Sequence, residues 1–225
     1  MTEYFDVLNS NGEYTNKTAS REECHNNGLW HKAVVLVILS EDNKKVLLQQ
    51  RSANKKLWPN LWDITAGGHV LAGEFGYQAC IRETKEELNI EIDKNSIEFI
   101  GATTSENIKE DIINRHFNEY YIAHKNIELK DIVLQKEEVQ DIRWFDIEDL
   151  KIRINNNYEG LTGKYGCWNY LLKYIEINGW KVLTNPVYYK ATSEMEWLLI
   201  LFKNEICDKI WKKKSKKGHV LKTET

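Results

Sequence analysis

Short apolar stretches broken by polar turns run along most of the chain, and their period changes once. Tyr4 to Leu8 alternates weakly and runs into Asn9-Ser10-Asn11-Gly12, a turn signal, after which Glu13 to Thr18 returns as a hairpin partner. The polar run from Ala19 to Gly28 is expected to be a loop. His31 to Leu39 is apolar and β-branched, so it predicts a buried strand, with Lys45 to Gln50 as its hairpin partner. A polar loop over Arg51 to Asn60 leads to a short strand, Trp62 to Ala66, which enters Gly67-Gly68. Then the period becomes helical. From Phe75 to Leu88, Tyr77, Ile81, Thr84 and Leu88 fall in one stripe, with Glu83, Glu86 and Glu87 on the other side. Strands follow over Ile97 to Thr104, His116 to Ala123 and Ile142 to Phe145, and a short helix starts at Asp146.

This order predicts a mixed α/β fold with one long helix inserted among strands, not a βαβ repeat. Three parts are expected: an N-terminal hairpin and loop over 1–30, a core over 31–154, and a mainly helical extension over 155–225. In the extension, Tyr165 to Ile177 reads as a helix. Ser193-x-x-Glu196 is a capping box opening a strongly apolar helix to about Trp211. That helix packs on the core, covers the site or makes a homodimer interface; the sequence does not choose. Composition narrows the classes. The 225 residues are 42% hydrophobic and 29% charged with net charge -3, which excludes wholesale disorder and any global basic field for nucleic acid. The longest apolar runs, Ala33 to Leu39 and Trp197 to Phe202, fall short of the roughly 20 residues of a membrane span. No signal peptide is visible. Cys24, Cys80, Cys167 and Cys207 are widely spaced, so reduced thiols and a cytoplasmic location are expected.

Chemistry concentrates between Gly68 and Ile90. Glu83, Glu86 and Glu87, at i, i+3 and i+4, project from one side of a helix, and like charges so placed repel. A divalent cation is the natural compensation, and an all-oxygen ligand set favours Mg²⁺ or Mn²⁺ over zinc. The preceding Gly-Gly turn lets the backbone pass close, so the Gly67 carbonyl is a further candidate ligand. Glu74 and Arg82 are spaced to pair and pin the loop to the helix. The whole string resembles the Nudix box, G-x5-E-x7-R-E-U-x-E-E-x-G-U, through Gly68, Glu74, Arg82, Glu83, Glu86, Glu87 and Ile90. Thr84 replaces the aliphatic residue. Asn89 replaces the last glycine and still tolerates the left-handed conformation past a helix end. Tyr4-Phe5-Asp6-Val7-Leu8, His31-Lys32-Ala33, Leu47-Leu48-Gln49-Gln50-Arg51-Ser52, Lys55-Lys56-x-Trp58-Pro59 and Trp62-Asp63 are similar to the branch holding type I isopentenyl diphosphate isomerases and their hydrolase relatives.

The resemblance implies a Nudix α/β/α sandwich around a mixed sheet and divalent-metal chemistry on a diphosphate. It implies metal ligation by Glu83, Glu86 and Glu87, and diphosphate contact by Arg51 and Lys55. It leaves the general base open between Glu83 and Glu119. His31 and His69 match metal-binding histidines of the isomerases, and His69 is also a candidate substrate contact. Two departures favour hydrolysis over isomerisation. Gly67 stands where the isomerases carry a cysteine, and all three box glutamates survive where the isomerases degrade them; Phe117, standing where they carry an acid two residues before Glu119, also argues against their metal arrangement. Glu138 is expected at the surface. A non-catalytic Nudix-fold binder, with the lysines of 209–217 touching RNA or anionic lipid, is the alternative of another class. The intact glutamates count against it.

Overall fold

The structure, a computed structural model, describes residues 2–109, 112–162 and 167–176. The helix expected from Ser193 to Trp211 and the lysine run after it lie outside the described residues, in the unit Lys190–Thr225. Strands β1 (Tyr4–Leu8) and β2 (Tyr14–Ser20) form the expected hairpin, antiparallel from Tyr4↔Ser20 to Leu8↔Tyr14. The expected loop that follows is instead a helix, α1 (Arg21–Asn27). Ser20 caps it. The Glu23 amide donates to Ser20 Oγ at 3.2 Å, the Ser20 amide donates to Glu23 Oε2 at 2.8 Å, and Gly28 closes it in the left-handed conformation. Only Cys24 is buried in this helix, so no apolar stripe marked it. The Ser-x-x-Glu cap was the signal present.

Next come β3 (His31–Leu39), β4 (Lys45–Arg51), β5 (Trp62–Asp63), β6 (Ala66–His69), α2 (Gly76–Leu88), β7 (Ile97–Lys109), β8 (Ile112–His124), β9 (Val139–Asp146), α3 (Ile147–Asn155) and α4 (Cys167–Glu176). Strands β7 and β8 run past their expected ends as a two-stranded arm whose Ile108 and Ile112 are exposed. The main sheet is mixed. β3 pairs parallel with β8 and antiparallel with β6, while β4 pairs antiparallel with β5 and β9.

β3 alternates as a strand covered on both faces must. Val34, Leu36 and Ile38 pack with Ala79, Cys80 and Leu88 of α2, while Val37 and Leu39 pack with Leu150 and Ile154 of α3 and Trp168 and Leu171 of α4. The fold is therefore an α/β/α sandwich. Its second core continues past residue 154 into α4. Trp168 is fully buried, and its Nε1 donates to the Thr162 carbonyl at 2.8 Å. Trp168→Ala is expected to cost about 3–5 kcal/mol in urea unfolding, the range for emptying such a site. A change below about 1 kcal/mol would detach α4 from the core.

One feature of the sheet builds the cleft. β3 and β4 pair only at Ile38↔Leu47 and Leu39↔Val46 and then diverge. Thr65 bridges the fork: its hydroxyl accepts from the Ile38 amide at 2.8 Å and donates to the Leu47 carbonyl. This is why the strand expected over Trp62 to Ala66 is two strands. β5 follows β4, β6 follows β3, and a gap opens between them.

Candidate active site

A cleft of about 460 Å³ fills that fork, lined by Val34 and Val35 of β3, Gln49 and Arg51 of β4, Gly67 and Gly68 of β6, and Glu83, Glu86 and Glu87 of α2. The helix carrying the glutamates is rotated slightly from expectation. Its buried stripe is Gly76, Ala79, Cys80, Thr84, Glu87 and Leu88, with Tyr77 and Ile81 only half-buried. Thr84 fits the stripe because its hydroxyl donates to the Cys80 carbonyl at 2.7 Å. Asn89 ends the helix at φ 55°, as its place past the helix end requires.

That rotation grades the three carboxylates by depth. Glu86 reaches solvent, Glu83 is largely covered, and Glu87 is 8% exposed. Among the described residues, the Glu87 carboxylate pairs with no cationic side chain. Its partner is the Gln49 amide, which donates to Oε2 at 3.2 Å. Burial first, and then the neighbouring Glu83, pushes the Glu87 carboxyl up to about 8. Burial also raises Glu83 to about 7, outweighing the Arg82 guanidinium beside it. A Cβ at Gly68 would collide with the Glu83 carboxylate and displace it from where it lies.

Arg82 ties the loop to the helix. Its Nε and Nη2 donate to the two oxygens of Glu74 at 3.1 and 3.0 Å, Nη1 donates to Glu83 Oε1 at 2.8 Å, and Nη2 also donates to the His69 carbonyl at 2.9 Å. Glu74 in turn accepts from the Leu71 amide at 3.0 Å. The fork geometry of a guanidinium suits this set, which a lysine ammonium would not reproduce.

The far wall carries Arg51, whose Nη1 lies 3.2 Å from Asp63 Oδ2, and Lys55, paired with Glu138. Glu138, expected at the surface, thus lines the cleft and holds Lys55. Gln49, Asp63 and Gln135 also line it. Gln49 and Asp63 stand in segments that resemble the isomerase branch but were given no role there, and Gln135 carried no signal of its own. Cys167 joins from α4, its thiol pushed up by burial and thus protonated.

Glu119 is not among the residues lining this cleft. It sits on β8 under the start of α2, where a Cβ on Gly76 would strike its carboxylate. Lys32 Nζ lies 2.9 Å from Oε1, and the Tyr121 hydroxyl donates to Oε2 at 2.7 Å. The His69 ring stacks on Phe5 at 4.7 Å and packs beside the rings of His25, His31 and His116.

Comparison with known proteins agrees with this architecture. The NUDIX domain pattern matches residues 29–162. A Nudix hydrolase of Listeria monocytogenes is 38% identical over 149 residues, spanning 66% of this chain and 83% of that protein. Nudix hydrolase 3 of Arabidopsis thaliana is 38% identical over 154 residues, 66% of this chain but 20% of its own length. An isopentenyl-diphosphate Delta-isomerase of Cereibacter sphaeroides is 28% identical over 144 residues, 62% of this chain and 77% of that one. Among solved structures, DR0079 of Deinococcus radiodurans shares the fold with a TM-score of 0.57 at 22% identity, covering 78% of this chain and 98% of its own. A NUDIX domain over most of the described residues, together with hydrolase relatives at 38% identity, places the chain in the Nudix hydrolase family.

Proposed function

We propose that the protein is a Mg²⁺-dependent pyrophosphohydrolase that cleaves a P–O bond of a small organic diphosphate, isoprenoid-like or nucleoside. The observation that carries the reading is the Glu87 carboxylate, buried beside Glu83 and, among the described residues, paired with no cationic side chain. A buried charge of this kind is either neutralised or compensated. Glu83, Glu86 and Glu87, with Gly67 beside them, offer only oxygen donors, and the orphaned buried Gln49 Oε1 adds one more polar atom to the same wall. This donor set fits a hard dication, Mg²⁺ or Mn²⁺. Such an ion supplies charge that offsets what develops on the phosphoryl oxygens.

The chain's own groups do the rest. Arg51 and Lys55, oriented by Asp63 and Glu138, bind phosphate oxygens across from the glutamates. Glu83 takes the proton of the attacking water as its oxygen bonds to phosphorus and the bridging P–O bond breaks. Glu83 is preferred to Glu119 as the base because it faces the cleft, whereas Glu119 is engaged by Lys32 and Tyr121. Glu83→Gln should lower kcat about 10³-fold, while Glu119→Gln keeps kcat within about tenfold, since its loss removes no proton acceptor from the cleft. Equal losses would return the base to Glu119. The buried, free thiols of Cys24 and Cys80 support a reducing, cytoplasmic setting. Among the described residues no helix is long and apolar enough to cross a membrane.

Glu83 and Glu87 also set a pH dependence. Their folded pKa values, about 7 and about 8, lie above the ordinary 4.5. The stability they contribute is therefore complete below pH 4.5 and lost as pH rises through those values. The buried histidines oppose this below their ordinary 6.5, because burial favours their neutral form. The clean window runs from about pH 6.5 to 8, where the Tm of metal-free protein should fall, and Mg²⁺ should reverse the fall because it binds the ionised form. A flat Tm across that window in calorimetry would contradict the burial of these carboxylates. Turnover is tested with a panel of diphosphates and Mg²⁺, resolving products by mass. Monophosphate or phosphate release supports hydrolysis. Deuterium uptake from D₂O at carbon of isopentenyl diphosphate, without phosphate release, would make the enzyme an isomerase.

A further inference from the structure

Arg51 is held by a chain of contacts that begins outside the strands of the cleft. The stretch after α3 returns to β5. Trp62 and Leu161 form a parallel bridge, the Trp62 amide donates to the Gly160 carbonyl at 2.9 Å, and the Thr162 amide donates to the Trp62 carbonyl at 2.8 Å. The Thr162 hydroxyl then donates to Asp63 Oδ1 at 2.7 Å, and Asp63 Oδ2 lies 3.2 Å from Arg51 Nη1. We propose that Thr162 is a positioning residue for the diphosphate: through Asp63 it fixes the Arg51 guanidinium, so that the turn after α3 sets how tightly the cleft holds its substrate. This inference rests on the reading of Arg51 as a phosphate contact.

The bonds divide the work between the two oxygens of Asp63. Oδ1 accepts from Thr162 and from the Ile64 amide at 2.9 Å, which leaves Oδ2 to the guanidinium. Two fixed donors on one oxygen choose the orientation of the whole carboxylate, and both members of the ion pair are mostly covered. The guanidinium is completed from the other side. Its Nε donates to the Leu57 carbonyl at 3.2 Å, and among the described residues Nη2 has no partner. Because the group is planar, placing Nε and Nη1 also places Nη2, whose two N–H groups are left for a phosphate oxygen. A misplacement of about 1 Å at such a clamp is felt in turnover, which gives the buttress a function.

Thr162 is itself well anchored. It is 3% exposed, and its carbonyl accepts from Nε1 of the fully buried Trp168 at 2.8 Å. The hydroxyl is the part that packing does not explain. Valine has nearly the same shape, and among the described residues the hydroxyl's partner is Asp63.

The turn that delivers Thr162 is strained. Asn157 and Tyr158 both lie in the left-handed region, at φ 59° and 60°. One such residue is enough to end a helix, and two non-glycine residues in succession are uncommon. Strain of this kind persists where the surroundings over-determine it, and it gathers at functional sites. Here the Tyr158 amide donates to the Ile154 carbonyl, the Glu159 amide to the Arg153 carbonyl and the Leu161 amide to the Tyr158 carbonyl. The result brings the chain back onto β5 with Thr162 against Asp63.

The test is a double-mutant cycle on the full chain, read by titration calorimetry with methylenediphosphonate and Mg²⁺. Thr162→Val should weaken binding about tenfold, and Arg51→Ala by about tenfold or more. Thr162→Ser keeps the hydroxyl and should bind within about twofold of the unmutated chain. On the Arg51→Ala background, Thr162→Val should add less than about twofold, because its effect passes through the missing guanidinium. With a hydrolysed diphosphate, Thr162→Val should raise KM more than it lowers kcat. Thr162→Cys, a weak donor of similar size, should fall between serine and valine, and it decides the matter if valine unfolds the chain. Unchanged binding in Thr162→Val beside a clear loss in Arg51→Ala would overturn this proposal alone, as would losses that multiply in the double variant. If the unmutated chain does not bind the probe, or Arg51→Ala binds it equally well, the diphosphate reading of the cleft falls and this proposal with it.

Discussion

Glu87→Gln is expected to lower kcat about 10³-fold or more while leaving the fold intact. Loss of a metal-binding carboxylate removes several kcal/mol of transition-state stabilisation, and about 4 kcal/mol corresponds to that factor. The same substitution should not destabilise the metal-free protein. At pH 8 the native side chain must either hold a proton or carry a buried charge that no cationic side chain among the described residues balances. The amide has the same shape, carries no charge and can still meet Gln49. Its metal-free Tm at pH 8 should therefore equal or exceed that of the unmutated chain, and the fall in Tm between about pH 6.5 and 8 should flatten. Activity and stability thus move apart, the mark of a group kept for function at a cost in stability. A variant that lost both together would make Glu87 a structural residue.

The second large effect is on stability. Arg82→Ala should cost about 3 kcal/mol or more in urea unfolding, because it leaves the mostly covered carboxylates of Glu74 and Glu83 without their shared cation. It also frees the His69 carbonyl and unties the loop that begins α2. Arg82→Lys should recover little, since one ammonium cannot serve the two Glu74 oxygens, Glu83 and the carbonyl at once. A lysine variant as stable as the unmutated protein would show that charge alone, and not the fork, holds this corner.

The site was more legible in the sequence than the fold around it. Spacing alone put Glu83, Glu86 and Glu87 together, because a helix has one period and the string Gly68 to Ile90 fixes it. What spacing did not reveal was depth. Glu87 is buried and Glu86 exposed because α2 turns Cys80 and Thr84, rather than Tyr77 and Ile81, toward the sheet. That rotation depends on what packs beneath, which a helical wheel does not contain. The continuous apolar, β-branched run of β3 announced a buried strand, and the structure covers it on both faces. The short helix α1 escaped because seven residues with one buried side chain carry no period, although the Ser20–Glu23 cap was readable. Glu138 and Cys167 reach the cleft through long-range packing of β9 and α4 on the forked sheet. His25 and His116 converge with His31 and His69 across 92 residues of chain, a proximity that no local pattern encodes.

The central claim is that Glu83, Glu86 and Glu87 grip a divalent cation against a diphosphate. It is tested most directly by anomalous diffraction from crystals grown with millimolar Mn²⁺ and a non-hydrolysable diphosphate analogue. The account predicts a manganese peak bonded to oxygens of these glutamates and to the analogue's phosphate. A cleft with the analogue bound and no manganese at those carboxylates would contradict it.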